Sequence, residues 1–253
     1  FTFGVNLINE NTGLMAPKAA VTGPSGVYWM GYDNFYVYTG AVKKLPCSVL
    51  SYVFDDFNSG QAYKTHAFTN TQYDEVGWFY CSGSSDEIDR YVSYNYAENA
   101  WAYGQLRRYA WLDSGVEAYP RATDNGFLYE HETGFDDDGT PMTNVFVESS
   151  DFDIGDGEQF AFINRMIPDI RFLSNASGGK VNIVLKTRNF PGDSLTTNST
   201  TPINSTTQQS HVRARARQAV VRVESDDDDT DANTSTGWRL GATRLDVRAD
   251  GRR

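Results

Sequence analysis

The chain has 253 residues, of which 40% are hydrophobic and 14% aromatic, and its formal net charge is −11 at pH 7. This hydrophobic share can build a core and excludes a disordered chain, and the surplus of acids argues against nucleic-acid binding through a broad basic surface. No apolar run approaches the length of a membrane span, so we expect no membrane insertion. The 15 Tyr, 15 Phe and 22 Gly residues indicate an all-β protein in which no segment requires a helix.

Aromatic hairpin signals recur through the first half of the chain. They lie at residues 26–38, 75–96 and 125–130, about 50 residues apart. This period is typical of kelch-like propeller blades, so residues 1–140 are predicted to form part of a β-propeller. Because a strand-like pattern is already under way at Phe1, we expect further blades upstream. The alternative is that aromatic hairpins recur by chance in a β-rich chain.

The character of the sequence changes after an acidic, turn-rich break at residues 135–141. Residues 141–253 are predicted to form a β-sandwich or jelly-roll-like domain, because they contain several strand-like runs separated by polar connections. A Ser/Thr/Asn-rich stretch near 192–210 is predicted to be a long exposed loop. The runs occupy residues 144–154, 159–172, 180–190, 211–224 and 238–249.

Arginines alternate with small or apolar residues near the end of the chain. Period-two alternation should place Arg213, Arg215 and Arg217 on one face of a strand, and Val212 and Ala214 on the other. Further charged positions follow at Arg239, Arg244, Asp246 and Arg248.

Two interpretations of these arginines remain open. They can form a cross-strand salt-bridge ladder that braces the sheet itself, an interaction that is common and weak at a surface. Alternatively, they can contact the acidic loops of a neighbouring subunit. Contact with DNA phosphates ranks third because of the surrounding acids.

No motif supports catalysis, a metal site or a cofactor. The Glu130-His131-Glu132 triplet lacks the second histidine of a zinc-protease helix, and no pair of acids stands out as a glycosidase pair. Cys47 and Cys81 match no metal or redox spacing, so free thiols in a reducing compartment are expected. The chain is therefore predicted not to be an enzyme.

Surface tyrosines offer a weaker functional alternative. Tyr94 and Tyr103 belong to a Tyr-rich stretch whose rings could stack on sugars in a receptor- or glycan-binding module. Packing between blades, with the hydroxyls hydrogen-bonded at the rim, is the more common role of such a stripe.

Several blocks of the chain resemble, in order, a family of tailed-bacteriophage virion proteins. The resemblance covers almost the whole chain and is to the tail hub, nozzle or packaged-DNA-stabilisation proteins of short-tailed phages. The blocks are residues 13–18 (GLMAPK), 28–38 (YWMGYDNFYVY), 45–47 (LPC), 89–96 (DRYVSYNY), 128–132 (LYEHE), 150–157 (SDFDIGDG), 238–241 (WRLG) and 250–253 (DGRR).

The resemblance implies a propeller-bearing structural protein of the virion tail, assembled in the bacterial cytoplasm. It implies a homo-oligomer, a hexameric ring below the portal and adaptor, that helps to retain packaged DNA and then forms part of the ejection channel. Genomic DNA would pass without specific binding. The matched blocks are structural, so no catalytic residue is carried over, and the N-terminal blades that the family would lead one to expect are absent.

Overall fold

The computed structural model describes residues 3–4, 6–153, 157–173, 179–226 and 237–252. The described chain is built from antiparallel β-sheets, as predicted. It divides into two compact units, Phe1–Thr133 and Gly134–Arg253, close to the predicted boundary at residue 140.

The first unit contains three antiparallel meanders. The first meander consists of β1 (Ala20–Gly23), β2 (Gly26–Met30), β3 (Phe35–Tyr38) and β4 (Val42–Lys44). The second consists of β5 (His66–Asn70), β6 (Glu75–Tyr80), β7 (Arg90–Asn95) and β8 (Ala100–Gln105). The third consists of β9 (Ala110–Leu112), β10 (Arg121–Asp124) and β11 (Phe127–Glu130). The predicted hairpin at residues 26–38 is confirmed by the pairing of β2 with β3.

Short helical segments connect the meanders. The α-helix α1 spans Leu50–Asp55 and buries Val53, and 3-10 helices span Ser59–Lys64 and Thr71–Tyr73. The expectation that no helix is needed is therefore wrong at these places. A segment of six residues or fewer completes less than two helical turns, which is too short for a 3.6-residue pattern to stand out in the sequence.

The second meander is buried on both faces because its side chains alternate between two cores. Trp78 of β6 packs against Phe35 of the first meander, with ring centroids 4.7 Å apart, and its indole donates to the Ala19 carbonyl at 2.9 Å. Phe79 of β6 lies on the opposite face of this sheet, and its ring centroid is 6.0 Å from that of Trp111 in β9 of the third meander. The three sheets are therefore stacked face to face.

The first strands of successive meanders are neighbours. Lys18, just before β1, forms a parallel bridge with His66 at the start of β5, and its carbonyl accepts from the Ala67 amide at 2.7 Å. Trp111 of β9 donates from its indole to the Thr69 carbonyl of β5 at 2.6 Å. Among the described residues these sheets do not close into a barrel or a complete propeller.

The second unit is also antiparallel throughout. Its strands are β12 (Asp136–Asp137), β13 (Thr140–Pro141), β14 (Phe146–Glu148), β15 (Phe152–Asp153), β16 (Ala161–Ile167), β17 (Ile170–Phe172), β18 (Lys180–Arg188), β19 (Thr196–Asn204), β20 (Ser210–Ala216), β21 (Gln218–Ser225), β22 (Trp238–Leu240) and β23 (Arg244–Ala249). One sheet has the order β14-β21-β18-β19, with β15 also on β21, and a second has the order β20-β16-β23. The strands β17 and β22 form a separate pair, as do β12 and β13.

One hydrophobic core joins the two larger sheets of this unit. It combines Ile163 and Met166 of β16 with Ile183 and Leu185 of β18, all of which are almost fully buried. Val212 and Ala214 of β20 join the same cluster. The inward faces of the two sheets are thus apolar, which leaves their outward faces for charged side chains.

The predicted loop near residues 192–210 is wrong for its central part. Thr196–Asn204 forms β19, which pairs with β18 along nearly its whole length. Most of its side chains are exposed, but Ile203 is buried and belongs to the core. Threonine is β-branched and suits a strand, and an edge strand tolerates Pro202 because no ladder bond on its outer side needs that nitrogen.

Candidate interaction surface

The outward side of the sheet β20-β16-β23 carries a row of guanidinium groups. In β20 the exposed residues His211, Arg213 and Arg215 alternate with buried ones, so the predicted alternation is confirmed for Arg213 and Arg215. The register sets Arg215 and Arg248 on either side of Phe162. We call this surface the arginine face and define it by Arg165, Arg213, Arg215, Arg244, Asp246 and Arg248.

Part of the arginine face is braced by acids within the same unit. Arg215 donates from Nε to Asp250 at 2.5 Å, and its guanidinium lies 4.1 Å from the ring centroid of Phe160. Asp246 lies between two arginines, 3.6 Å from the guanidinium groups of Arg165 and Arg248. These contacts match the salt-bridge interpretation of the ladder. Because the partners are largely exposed, each contributes at most about 1 kcal/mol.

Other arginines of the predicted set have no ionic partner among the residues that the structure describes. Arg213 and Arg244 are exposed and form no ion pair within the described part of the chain. A guanidinium is always charged and presents a rigid fork of donors that fits carboxylates and phosphates. Arg213 and Arg244 are therefore the positions on this face at which an outside anion can bind.

Two predicted positions do not belong to the arginine face. Arg217 lies at the tight turn between β20 and β21, where its guanidinium stacks on Phe160 and Phe190 at 5.1 and 5.3 Å. Arg239 lies on β22, directly opposite Arg171 of β17, and neither forms an ion pair among the described residues.

The tyrosines singled out for glycan stacking differ in their accessibility. Tyr94 is buried; its ring packs 4.9 Å from that of Trp101 and its hydroxyl donates to Asn99 at 2.7 Å. Tyr103 is half-buried and lies 4.0 Å from the ring of Tyr52, which is exposed. Only Tyr103 therefore offers part of a ring surface to a ligand.

A pair of glutamates was missed in the sequence because 57 positions separate them. Glu75 begins β6, and Glu132 follows β11 with a left-handed backbone (φ 63°). Burial, followed by the nearby charge of Glu132, raises the pKa of Glu75 to about 7. Burial also raises the pKa of Glu132, whose carboxylate accepts from Asn70 Nδ2 at 2.9 Å. Nothing in the local sequence around either glutamate signals this pairing.

Metal ligands do not cluster in the described residues: no group of three or more His, Cys, Asp or Glu is placed to hold an ion there. Within the same residues, no helix has both the length and the apolar character that crossing a membrane requires. Residues 226–229 are four consecutive aspartates, a run that predicts an exposed acidic loop, and all of them except Asp226 lie outside the described residues.

Comparison with known proteins adds no relative: no family model matches the chain, and no curated protein is significantly similar to it. The fold and the site therefore define the protein only as a two-unit antiparallel β chain that exposes an arginine face.

Proposed function

We propose that this chain is a structural, non-enzymatic component of a bacteriophage tail, of the hub or nozzle type, that assembles into a ring of identical subunits. The observation that carries the proposal is the arginine face. Arg213 and Arg244 are exposed on it and form no ion pair with any described residue, on a chain whose net charge is −11. In a ring each subunit presents two different patches to its neighbours, so a basic face calls for an acidic patch elsewhere on the same chain.

The acidic partner surface is the hairpin of β12 and β13. Asp136, Asp137 and Asp138 are exposed there, and none forms an ion pair within the described residues. Carboxylates on an exposed hairpin can approach exposed guanidinium groups and accept bidentate hydrogen bonds from them. Charge complementarity of this kind steers association and fixes the register of an interface.

The three meanders are proposed to be consecutive blades of a propeller, and the second unit a β-sandwich. Face-to-face stacking and adjacent first strands, linked by the Lys18–His66 bridge, support the blade assignment. Propeller blades are meanders of this kind arranged around a central channel. The shared core of the two larger sheets supports the sandwich.

The role in DNA retention and ejection follows from the resemblance to tail proteins. An acidic ring would repel the DNA backbone, so that genomic DNA passes through the channel without specific binding. The proposed partners are further copies of the chain, the portal and adaptor, and other tail proteins. The proposed location is the virion tail, after assembly in the bacterial host cytoplasm.

Charge reversal on the arginine face separates assembly from folding. Arg213→Glu combined with Arg244→Glu should reduce the oligomer to monomers, as measured by sedimentation velocity. The unfolding temperature should stay within about 2 °C of the wild type, because neither side chain has an ionic partner among the described residues of the unit.

A comparison variant on the same face is Arg215→Glu, which also breaks the ion pair with Asp250 and should impair assembly more than folding. It should lower the unfolding temperature by a few degrees, in line with a surface pair worth about 1 kcal/mol. A double variant that assembles like the wild type would contradict the proposed contact.

The second candidate function is a glycan-binding module, favoured by the close pair of Tyr52 and Tyr103. Such a module would bind bacterial polysaccharide as a monomer, and the double arginine variant would bind it unchanged. The same set of variants therefore distinguishes the two functions.

A further inference from the structure

A cavity of about 350 Å³ lies at one end of the second meander, where several connections of the first unit meet. This volume falls within the range of small-molecule sites. The side chains that matter for its chemistry are Lys18, Tyr63, Lys64, His66, Glu87 and Tyr109. They come from four separate stretches of the unit, so the fold, not a local motif, assembles the cavity.

His66 on the cavity wall has an unsatisfied hydrogen-bond acceptor. The side chain is 93% buried, stacks on Phe79 at 5.2 Å and hydrogen-bonds to the Lys64 carbonyl. Burial lowers the pKa of this imidazole, so it is neutral at pH 7 and Nε2 is left as the acceptor. Nε2 is buried without a partner among the described residues. Because such an atom costs free energy, a ligand hydroxyl that donates to it would be favoured.

The two lysines of the cavity differ in their availability. The Lys64 ammonium is held by Glu87 Oε1 at 2.9 Å and by the Asp86 carbonyl at 2.5 Å. Glu87 is held in turn by a hydrogen bond with Tyr109. Lys18, by contrast, is exposed and has no ion pair in the described part of the chain. The cavity therefore offers one uncommitted positive charge.

Aromatic surface completes the site. Tyr63 is 67% exposed and Tyr109 is 39% exposed, so both rings are accessible at the rim. Tyrosine rings present an apolar face with a polar end, which suits the C–H face of a sugar ring. The site thus combines a cation, a buried acceptor and accessible rings.

We propose that this cavity binds an acidic monosaccharide unit, a sugar that carries a carboxylate, such as a hexuronate. The carboxylate would pair with Lys18, a sugar hydroxyl would donate to Nε2 of His66, and the ring would pack on Tyr63 or Tyr109. A neutral sugar lacks the partner for Lys18, and a small anion lacks both the hydroxyl and the apolar face. The proposal does not depend on the arginine face or on ring assembly.

Calorimetric titration of the full chain with glucuronate tests the site. We expect a dissociation constant on the order of 1 mM, ordinary for a ligand of this size. Lys18→Gln should weaken glucuronate at least tenfold, the contribution of about one charged hydrogen bond. The matched control Lys43→Gln removes another exposed lysine of the same unit and should leave binding unchanged. Equal affinities for glucuronate, glucose and acetate, or equal binding by the two lysine variants, would overturn the proposal.

The histidine contact has its own readout that does not require a destabilising variant. The chain has three histidines, so its imidazole nitrogens can be followed individually by ¹⁵N NMR. Saturation with glucuronate should shift the Nε2 resonance of His66, whereas acetate should leave it in place. An unchanged His66 resonance at saturating glucuronate would show that the hydroxyl contact does not form. Ring assembly is measured by sedimentation without sugar, so the two proposals fail separately.

Discussion

At the scale of single residues, Glu75 is the clearest case of a carboxyl group whose charged form is destabilised by its surroundings. Burial is the largest cause of its raised pKa, and the Glu132 carboxylate is the second. Because the folded-state pKa lies above the ordinary value of 4.5, the protonated form stabilises the fold. This stabilisation is complete below pH 4.5 and is lost as the pH rises through about 7.

We therefore expect the first unit to lose stability between pH 5 and pH 8, by roughly 1–3 kcal/mol. Glu75→Gln cannot ionise and should remove most of this loss, so that the variant is more stable than the wild type at pH 8. Chemical unfolding of both proteins at the two pH values measures the difference.

The control for this prediction is Glu98→Gln, which neutralises an exposed glutamate of the same unit. It should keep the pH dependence of the wild type. If Glu75→Gln lost as much stability as the wild type between pH 5 and pH 8, the ionisation of Glu75 would not be the cause of the loss.

Residue-level prediction from the sequence succeeded where only local alternation mattered. The exposure of Arg213 and Arg215 follows from period-two patterning along one strand. The pairing of Glu75 with Glu132 does not, because it depends on how the second and third meanders pack. The ionic partners of individual arginines could not be predicted either, because they are distant in the sequence. Asp250, for example, lies 35 positions from Arg215.

At the scale of elements, β19 is the instructive difference between sequence and structure. Its composition is that of a linker, and only Ile203 contributes fully to the core. The strand exists because its backbone completes the ladder of β18. Tertiary pairing of this kind overrides a weak local preference.

Amide hydrogen exchange tests whether Thr196–Asn204 is a strand in solution. The amides that pair with β18 should exchange much more slowly than those of residues 205–209, which pair with no strand. Ile203→Ala should lower the free energy of unfolding by about 2–5 kcal/mol, and Ser205→Ala by less than about 0.5 kcal/mol. Equally rapid exchange in Thr196–Asn204 and in residues 205–209 would show that the first segment is an exposed loop in solution and not a strand.

Pro168 interrupts a strand-like run, a pattern that predicts an edge position or a bulge. Neither is found, because β16 is the central strand of its sheet and ends before Pro168, which lies in no strand. β16 ends at Ile167. β17 begins at Ile170 and pairs with β22 in a separate two-stranded sheet. A shift in the pairing register of β16 lies instead between Ile163 and Arg165, and no residue there predicts it from the sequence. The end of a strand at a proline can be predicted from the sequence because proline lacks the amide hydrogen that a strand needs. A bulge at ordinary residues leaves no such sign in the sequence.

At the scale of the whole molecule, the charge distribution is the central feature. The net charge is −11, yet five arginines and one aspartate define one sheet face of the second unit. The proposed attraction between this face and an acidic patch on another copy should be strong in dilute salt and weak in concentrated salt. Total charge alone argues against nucleic-acid binding, but it does not reveal that five arginines share one sheet face of the second unit.

The proposed contact between subunits is tested most directly by the mass of the wild-type particle in solution as the salt concentration is raised. At 0.1 M salt the screening length is about 10 Å, and at 1 M it is about 3 Å. We predict a ring of several copies at 0.1 M that dissociates toward monomers at 1 M, as measured by light scattering on a sizing column. A chain that is monomeric in both buffers, or an oligomer that is indifferent to salt, would contradict the arginine face as the contact between subunits.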